Sequence, residues 1–512
     1  MNETVVILDF GSQVTQLIAR RAREHKVYSV ILPYYAPLSE IQSHRPKALI
    51  LSGSPATVFA PKAPIPDKRI FSLGLPILGI CYGLQLITHV LGGRVHKSKK
   101  REYGFAKLKV DSPVGFFSGL PKTVTCWMSH GDKADKLPPG FQRIGHTETS
   151  PIAAIADPGR KIYAVQFHPE VVHTPLGSKM IGNFLFKIAG FHGDWTPKSF
   201  INESIRKIRN AVGKNRVVLG LSGGVDSSVA GLLLHKAIGK QLTCIYVDNG
   251  LMRLNETQRI KATFKDHLHM NIKFIDASAI FLKELKGVED PEKKRKIIGR
   301  VFVETFDREA KKLGKVPFLA QGTLYPDVIE SVSVHGGPTS VIKSHHNVGG
   351  LPKGMKFKLV EPLRELFKDE VRKVGVALGL KEELVKRHPF PGPGLGVRIL
   401  GDVTRERCDI LREADAIAID EIRRAGLYDK IWQAFVVLLP VRSVGVMGDE
   451  RTYENVAAVR AVTSQDGMTA DWARIPNDVL ARISSRIINE VRGINRVCYD
   501  ISSKPPATIE WE

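Results

Sequence analysis

Two short segments hold residue types that could do chemistry. The first is Arg216-Val-Val-Leu-Gly-Leu-Ser-Gly-Gly-Val-Asp-Ser-Ser-Val229. It reads as a buried strand, a tight turn and a helix running on through Leu234. Gly223 and Gly224 let successive N–H groups point into one concavity, and that concavity meets a helix N-terminus, which favours anions. Ser222, Ser227 and Ser228 add hydroxyl donors around Val225, and Asp226 adds a carboxylate suited to a magnesium ion. The loop lacks the G-K-[ST] of a Walker A motif, so it is not the usual β/γ-phosphate cradle. The second segment is Gly79-Ile-Cys-Tyr-Gly83. It follows an apolar strand and precedes a helix, with glycines at both second neighbours of Cys81, the geometry of a nucleophile elbow. The helix beginning at about Tyr82 turns its positive end towards the sulfur and favours the thiolate. A base is available in Gln166-Phe-His-Pro-Glu170. Pro169 biases His168 towards an extended conformation, in which residues i and i+2 share a side. Glu170 can then orient the imidazole, and the imidazole can serve the thiol.

These sites need scaffolds. Val5–Asp9, Lys47–Ser52 and Pro76–Ile80 are apolar strands, with a helix from about Gln13 to His25 between the first two. Strands alternating with helices imply a mostly parallel sheet covered on both faces. The Gly/Pro-bearing stretch from Phe191 to Ser199 reads as a linker. Beyond it lie a basic amphipathic helix over about Pro197–Val212, strands at Arg216–Gly220, Gln241–Val247, Lys273–Asp276 and Val316–Ala320, and a helical run from Glu292 to Leu313. The loop His388-Pro-Phe-Pro-Gly-Pro-Gly-Leu395 can be neither helix nor central strand. After it come a helix over about Arg405–Ala425, strand-like runs at Ala434–Val441 and Ser443–Met447, and a helix near Asn477–Val491. The expected class is α/β: two consecutive doubly wound domains with mostly parallel sheets, residues 1–193 and 194–387, followed by a C-terminal α+β domain, residues 388–512.

A length of 512 residues is about that of three domains. Hydrophobic residues make up 43% of the chain, enough for full cores and a soluble protein. Glu3 and Asp9 near the start argue against a secretory signal, and Ile77–Leu91 is too short and too polar to span a membrane. Five scattered cysteines with no C-x-x-C point away from disulfides and structural zinc and towards a reducing cytoplasm. The formal charge of +23 raises the question of nucleic acid. Basic clusters stand at Arg94–Arg101 and Lys293–Lys296, but the excess is dispersed and lacks interleaved aromatics. It reads as a solvated surface, with no nucleic-acid partner expected.

S-G-G-x-D-S-S resembles the signature of the ATP pyrophosphatases, which cleave ATP between its α and β phosphates. G-I-C-Y-G-L-Q with Q-F-H-P-E-V resembles the class I glutamine amidotransferases. That resemblance implies that Cys81 attacks the glutamine amide, releasing ammonia and leaving a thioester that water clears. It also implies an oxyanion hole at the N–H groups of Gly53 and Tyr82, and glutamine binding at Gln85, Ser129, His130 and Gly131. Over essentially the whole chain the sequence resembles the bacterial, glutamine-hydrolysing GMP synthetase family, most tellingly in Ile342–Pro352, Pro389–Leu395 and Lys504–Glu512. The implied reaction aminates xanthosine monophosphate (XMP) at C2 to GMP, with ATP as co-substrate and Mg2+ as cofactor. Asp248 and Gly250 end a strand where a nucleoside lies in a doubly wound sheet, and Gln321, Gly322 and Thr323 end another facing the same crevice. Arg300, Lys343, Gln433, Lys504 and Glu510 are the implied XMP contacts, Lys504 being a stiffly placed cation beside two prolines. The third domain resembles the family's dimerisation domain, which implies a homodimer. NAD or asparagine synthesis is a competing reading, disfavoured by the terminal I-E-W-E and the P-F-P-G-P-G loop. An RNA-modifying enzyme is another, but it leaves Cys81 and His168 without a purpose.

Overall fold

A computed structural model describes residues 3–113, 115–331, 357–447, 450–464, 467 and 469–512. One compact unit holds the chain up to Phe200 together with residues 326–331; a second holds Ile201–Tyr325 and the described residues from Phe357 onward.

The first unit is built on nine strands: β1 (Thr4–Asp9), β2 (Tyr28–Pro33), β3 (Pro46–Leu51), β4 (Ile77–Ile80), β5 (Arg94–Val110), β6 (Thr123–Lys136), β7 (Gln142–His146), β8 (Ala154–Asp157) and β9 (Ile162–Val165). They form one sheet in the order β2-β1-β3-β4-β9-β8-β7-β5-β6. Strands β2, β1, β3, β4 and β9 pair in parallel. The rest of the sheet is antiparallel. Every residue of β1 and β4 is buried, as expected of parallel strands covered on both faces. The helix Tyr82–Val90 packs on this block through Leu84, Leu86 and Ile87. The basic cluster starting at Arg94 thus forms the start of a long antiparallel strand, an element that its charge disguised in the sequence.

The second unit opens with β10 (Val217–Gly220), β11 (Leu242–Asp248), β12 (Ile272–Asp276), β13 (Phe318–Ala320) and β14 (Lys358–Val360). All pairings are parallel, in the order β12-β11-β10-β13-β14. Strand order reverses beside β10, so the carboxyl ends of β10 and β13 flank the switch-point crevice where such sheets take ligands. A third sheet pairs β15 (Gln433–Met447) with β16 (Glu450–Thr463), and β16 with β17 (Asp471–Trp472) and, in parallel, β18 (Ile494–Asp500). The two runs expected at 434–441 and 443–447 are one strand, with a register shift between Leu438 and Arg442 that breaks the alternation. The helices Arg405–Arg424 and Asn477–Glu490 complete this part.

One apolar core crosses residue 387 without interruption. Val218 and Ile245 of the parallel sheet belong to the same buried cluster as Leu411, Val436 and Ile483.

Candidate active sites

The glutamine-type site lies in the first unit. Strand β4 ends at Ile80, and Cys81 turns the chain into the helix Tyr82–Val90 with φ +55°. A non-glycine residue there costs roughly 1–3 kcal/mol, held in place by the surrounding fold. The Cys81 N–H donates to the Val165 carbonyl at 2.7 Å, tying the elbow to β9. A Cβ on Gly79 would lie 2.7 Å from the Gly83 carbonyl group, and one on Gly83 would lie 2.6 Å from the Leu51 carbonyl oxygen. Glycines at both positions are what let the turn close.

His168 follows β9. Its Nδ1–H donates to Glu170 Oε1 at 2.8 Å, and Glu170 is wholly buried. A carboxylate only accepts, so Nδ1 carries the hydrogen and the other ring nitrogen is left for the thiol. The backbone is clamped as well: His168 N–H donates to the Trp127 carbonyl at 3.0 Å, and Thr174 Oγ1 donates to the His168 carbonyl at 2.7 Å. Burial by itself would lower the His168 pKa; the Glu170 carboxylate and the hydrogen bond with the Cys81 sulfur outweigh it and raise the pKa to about 11. Glu170 thus favours the charged imidazole, and His168 shares its cleft with Cys81, whose thiol donates to the Ser129 carbonyl at 3.7 Å.

Around these groups lies a cleft of about 990 Å3 lined by Cys81, Gln85, Ser129, His130, Gly131 and His168, among others. Gly53 borders it: a Cβ there would sit 3.4 Å from His168 Cε1 and 3.7 Å from Cys81 Cβ. The Tyr82 side chain points elsewhere, its hydroxyl donating to the Pro64 carbonyl, so only its backbone can serve the cleft. As the first helical residue its N–H lacks an intrahelical acceptor. Gln85 Nε2 donates to the Asp132 carbonyl at 3.1 Å, and His130 is gripped by Glu102 at 3.1 Å. Glu102 was not legible in the sequence. Burial would raise its pKa, but hydrogen bonds from His130, Thr149 and Thr147 bring it down to about 2.

The nucleotide-type site lies in the second unit. Gly223 has φ +77°, and Gly224 is the extended residue before the helix Val225–Ile238. The loop's hydroxyls bond to one another: Ser222 Oγ and Ser227 Oγ are 3.0 Å apart, and Ser227 Oγ donates to the Gly224 carbonyl at 3.2 Å. Asp226 Oδ2 receives Lys368 Nζ at 2.5 Å, while its Oδ1 is buried without a hydrogen-bond partner. Gly322, beyond the end of β13, packs on Asp226 and Ser227, where a Cβ would come within 3.4 Å of both. Gln321, beside it, also buries an unpartnered Oε1, and Thr323 donates to Glu361 at 2.6 Å. Gln321–Thr323 and the loop thus share the switch-point crevice. Asp248 ends β11, its two oxygens accepting Gly250 N–H at 2.9 Å and Thr257 Oγ1 at 2.7 Å. It shapes the turn that carries Gly250.

The residues implied for the second nucleotide do not all meet. Gln433 Nε2 donates to Glu510 Oε1 at 2.6 Å, and Arg398 forks onto the same carboxylate at 2.9 and 3.0 Å. Arg398, which the sequence reading missed, is fully buried between the rings of Phe390 and Phe435 and keeps one unpartnered nitrogen, Nη1. Arg300 instead faces Glu284 and Glu304 on the surface, and Lys504 donates to the Gly467 carbonyl at 2.8 Å. Lys343 and the whole 342–352 motif lie outside the described residues.

The fold and its two sites describe a glutamine amidotransferase joined to an ATP-using α/β unit, and comparisons with known proteins divide the chain the same way. Residues 6–188 match the class-I glutamine amidotransferase family, 198–296 the NAD synthase family and 420–511 the GMP synthase C-terminal domain. The chain is 60% identical to a glutamine-hydrolysing GMP synthase of Phenylobacterium zucineum, covering 100% of this chain and 99% of that one. It is 59% identical to the corresponding protein of Brachyspira hyodysenteriae at the same coverage. A crystal structure of a glutamine amidotransferase from Thermotoga maritima aligns with 37% of this chain and 99% of its own, at 20% identity and a TM-score of 0.31. The chain belongs to the glutamine-hydrolysing GMP synthase family.

Proposed function

We propose that the chain aminates XMP to GMP, with ammonia drawn from glutamine and ATP cleaved to AMP and pyrophosphate. The observation that carries this is the pairing, in one chain of this family, of an assembled Cys81–His168–Glu170 set with a phosphate loop that lacks a Walker lysine. Cys81 Sγ attacks the glutamine amide carbon, with the oxyanion taken by the N–H groups of Gly53 and Tyr82. His168 passes a proton to the leaving nitrogen, so ammonia departs and a thioester remains for water to cleave. Gln85 and Ser129–Gly131 hold the glutamine. In the second unit, Ser222–Ser228 seat the ATP phosphates and Gln321–Thr323 face the same crevice. The XMP 2-oxygen attacks the α-phosphorus, pyrophosphate leaves, and ammonia then displaces AMP at C2. Gln433, Glu510 and Arg398 form the best-connected part of the acceptor site, with Lys504, Arg300 and Lys343 brought in by resemblance to the family.

Magnesium fits at Asp226. The orphaned Oδ1 is a free carboxylate lone pair beside the loop, and no cluster of three or more ligating side chains stands among the described residues to hold a metal unaided. One carboxylate plus substrate phosphates is the usual way this ion binds. When bound it would neutralise phosphate charge.

We assign residues 1–193, 194–387 and 388–512 to amidotransferase, ATP pyrophosphatase and C-terminal dimerisation domains, in line with the three family matches. A homodimer is supported by an exposed apolar strip on β15 and β16, where Val444 lies opposite Tyr453 and Val446 is 71% exposed. The dispersed charge favours small anionic substrates over RNA. Among the described residues no helix is long and apolar enough to cross a membrane, and all five cysteines are unpaired, which suits a reducing cytoplasm.

The test is an amination assay with purified protein, ATP, magnesium and glutamine, comparing XMP with nicotinate adenine dinucleotide and aspartate. GMP, AMP and pyrophosphate in equal amounts are expected. Amination of either alternative acceptor, or ADP as the product, would overturn the assignment.

A further inference from the structure

The phosphate loop is braced from behind by a buried ion pair with no evident part in the chemistry. Arg387 Nη2 donates to both oxygens of Glu256 at 2.6 Å each. Glu256 is 5% exposed and Arg387 17%. Burying two charges costs about as much as their attraction returns, so stability alone is a poor reason for such a pair. Arg387 has a further contact: its Nη1–H donates to the Gly223 carbonyl at 3.2 Å, across 164 residues of sequence.

That carbonyl matters because of where its peptide lies. The amide joining Gly223 to Gly224 is planar and trans, so its C=O and N–H point in opposite directions. Drawing the Gly223 oxygen towards Arg387 turns the Gly224 N–H the other way, onto the side where Ser222 and Ser227 present their hydroxyls. There it makes only a long contact of 3.3 Å with Ser222 Oγ, which an anionic oxygen would replace easily. Gly223 can take this orientation because it has φ +77° and no side chain; a Cβ there would fall 2.4 Å from Ile260 Cδ1 and 3.3 Å from Glu256 Oε1. The short helix Glu256–Ile260 therefore presses on the loop directly and also supplies the carboxylate that holds Arg387.

We infer that Arg387, oriented by Glu256, is a positioning residue that fixes the Gly223–Gly224 peptide so that its N–H faces the ATP phosphates. The inference rests on the nucleotide assignment made above for this loop. Arg387 does not touch the substrate; it acts through the loop backbone. A lysine in its place would keep the charge but lose the planar fork that reaches two carboxylate oxygens and a carbonyl at once.

The experiment uses the full-length chain with free ammonia as nitrogen source and XMP as acceptor, measuring kcat and both KM values. Arg387→Lys should raise the KM for ATP by about ten- to a hundredfold, the loss of one hydrogen bond to a charged donor. The KM for XMP should change by less than about twofold, which also reports that the second unit is folded. Glu256→Gln should do the same more weakly, because the amide still offers one oxygen to the guanidinium. Equal rises in both KM values with a lowered thermal midpoint would make the pair a structural brace and overturn the inference, as would an unchanged KM for ATP in both variants. If the unaltered protein forms no AMP and pyrophosphate with XMP present, the nucleotide assignment itself falls, and the inference with it.

Discussion

The two sites differ in how complete they are without substrate. In the first unit the working groups are already set: His168 is clamped by Glu170, Trp127 and Thr174 and shares its cleft with Cys81. In the second unit the loop's serines bond to one another, Lys368 covers one oxygen of Asp226, and the other oxygen is left without a partner. A covalent nucleophile must be prepared before its substrate arrives, so the fold accepts a strained backbone at Cys81 to have it ready. A phosphate cradle can leave its last ligands to be supplied by the nucleotide. The first site is therefore finished by folding and the second by binding.

The sharpest break between them is Cys81→Ala. Glutamine-dependent amination should fall by about four to six orders of magnitude, as for loss of a covalent nucleophile. Amination with free ammonia should persist, since the second unit is untouched. Assaying GMP with each nitrogen source checks this, and equal loss with both sources in a folded protein would dissolve the two-site comparison. Asp226→Asn probes the other side. It should cost about 10²–10³-fold in rate with either nitrogen source, while glutamine hydrolysis by the first unit continues. Magnesium titration should show a raised requirement in that variant. Smaller again is Glu170→Gln, which leaves His168 without its carboxylate; about 10²-fold in glutamine-dependent kcat is expected, with ammonia-dependent turnover unchanged.

The smallest effects are in pH dependence, and they run in opposite directions in the two units. His168 has a pKa raised from 6.5 to about 11, so its contribution to stability is full below 6.5 and drains away as pH climbs towards 11. His388 behaves in the reverse sense. Burial, with the nearby charges of Arg253 and Arg423, lowers its pKa to about 4 against a hydrogen bond donated to the Tyr428 backbone carbonyl. The ring stacks on Tyr428 at 3.8 Å, bonds to the Tyr428 carbonyl through Nε2 and accepts Ala434 N–H at Nδ1, an arrangement that only the neutral form can make. Above 6.5 it is neutral folded or unfolded; as pH falls from 6.5 to 4 the unfolded chain takes up a proton that the fold refuses, and stability drops. One pKa unit corresponds to about 1.4 kcal/mol, so the ceiling is about 3 kcal/mol. Thermal midpoints of the unaltered protein and His388→Gln should converge between about pH 7 and 4, and those of the unaltered protein and Glu170→Gln between about pH 7 and 11.

What could be read in the sequence was what is contiguous in it. The elbow at Cys81, the H-P-E run and the heptad at Ser222–Ser228 each put their chemistry within a few residues, where turn geometry and periodicity are decisive. The parallel strands β1, β3, β4, β10 and β11 were visible because both their faces are apolar, whereas β2 and β14, only partly buried, went unread. The antiparallel strands β5 to β8 were not visible either: a run of lysines and arginines hid the start of β5, and β8, though wholly buried, is only four residues long. The residues that complete the sites come from far along the chain: Lys368 reaches Asp226 across 142 residues, and Arg398 reaches Glu510 across 112. Nothing local marks such partners.

The continuous core across residue 387 has a consequence for how the gene can be cut and recombined. A break near the boundary at Phe200 separates two bodies that each own an apolar interior. A break at 387 divides one buried cluster, parting Leu251 and Ile298 from the Gly394–Val397 turn that packs on them. Exchange of modules, by engineers or by evolution, should therefore succeed at the first junction and yield aggregates at the second. The amidotransferase is a part that can be transplanted; the ATP-binding sheet travels only with its C-terminal companion.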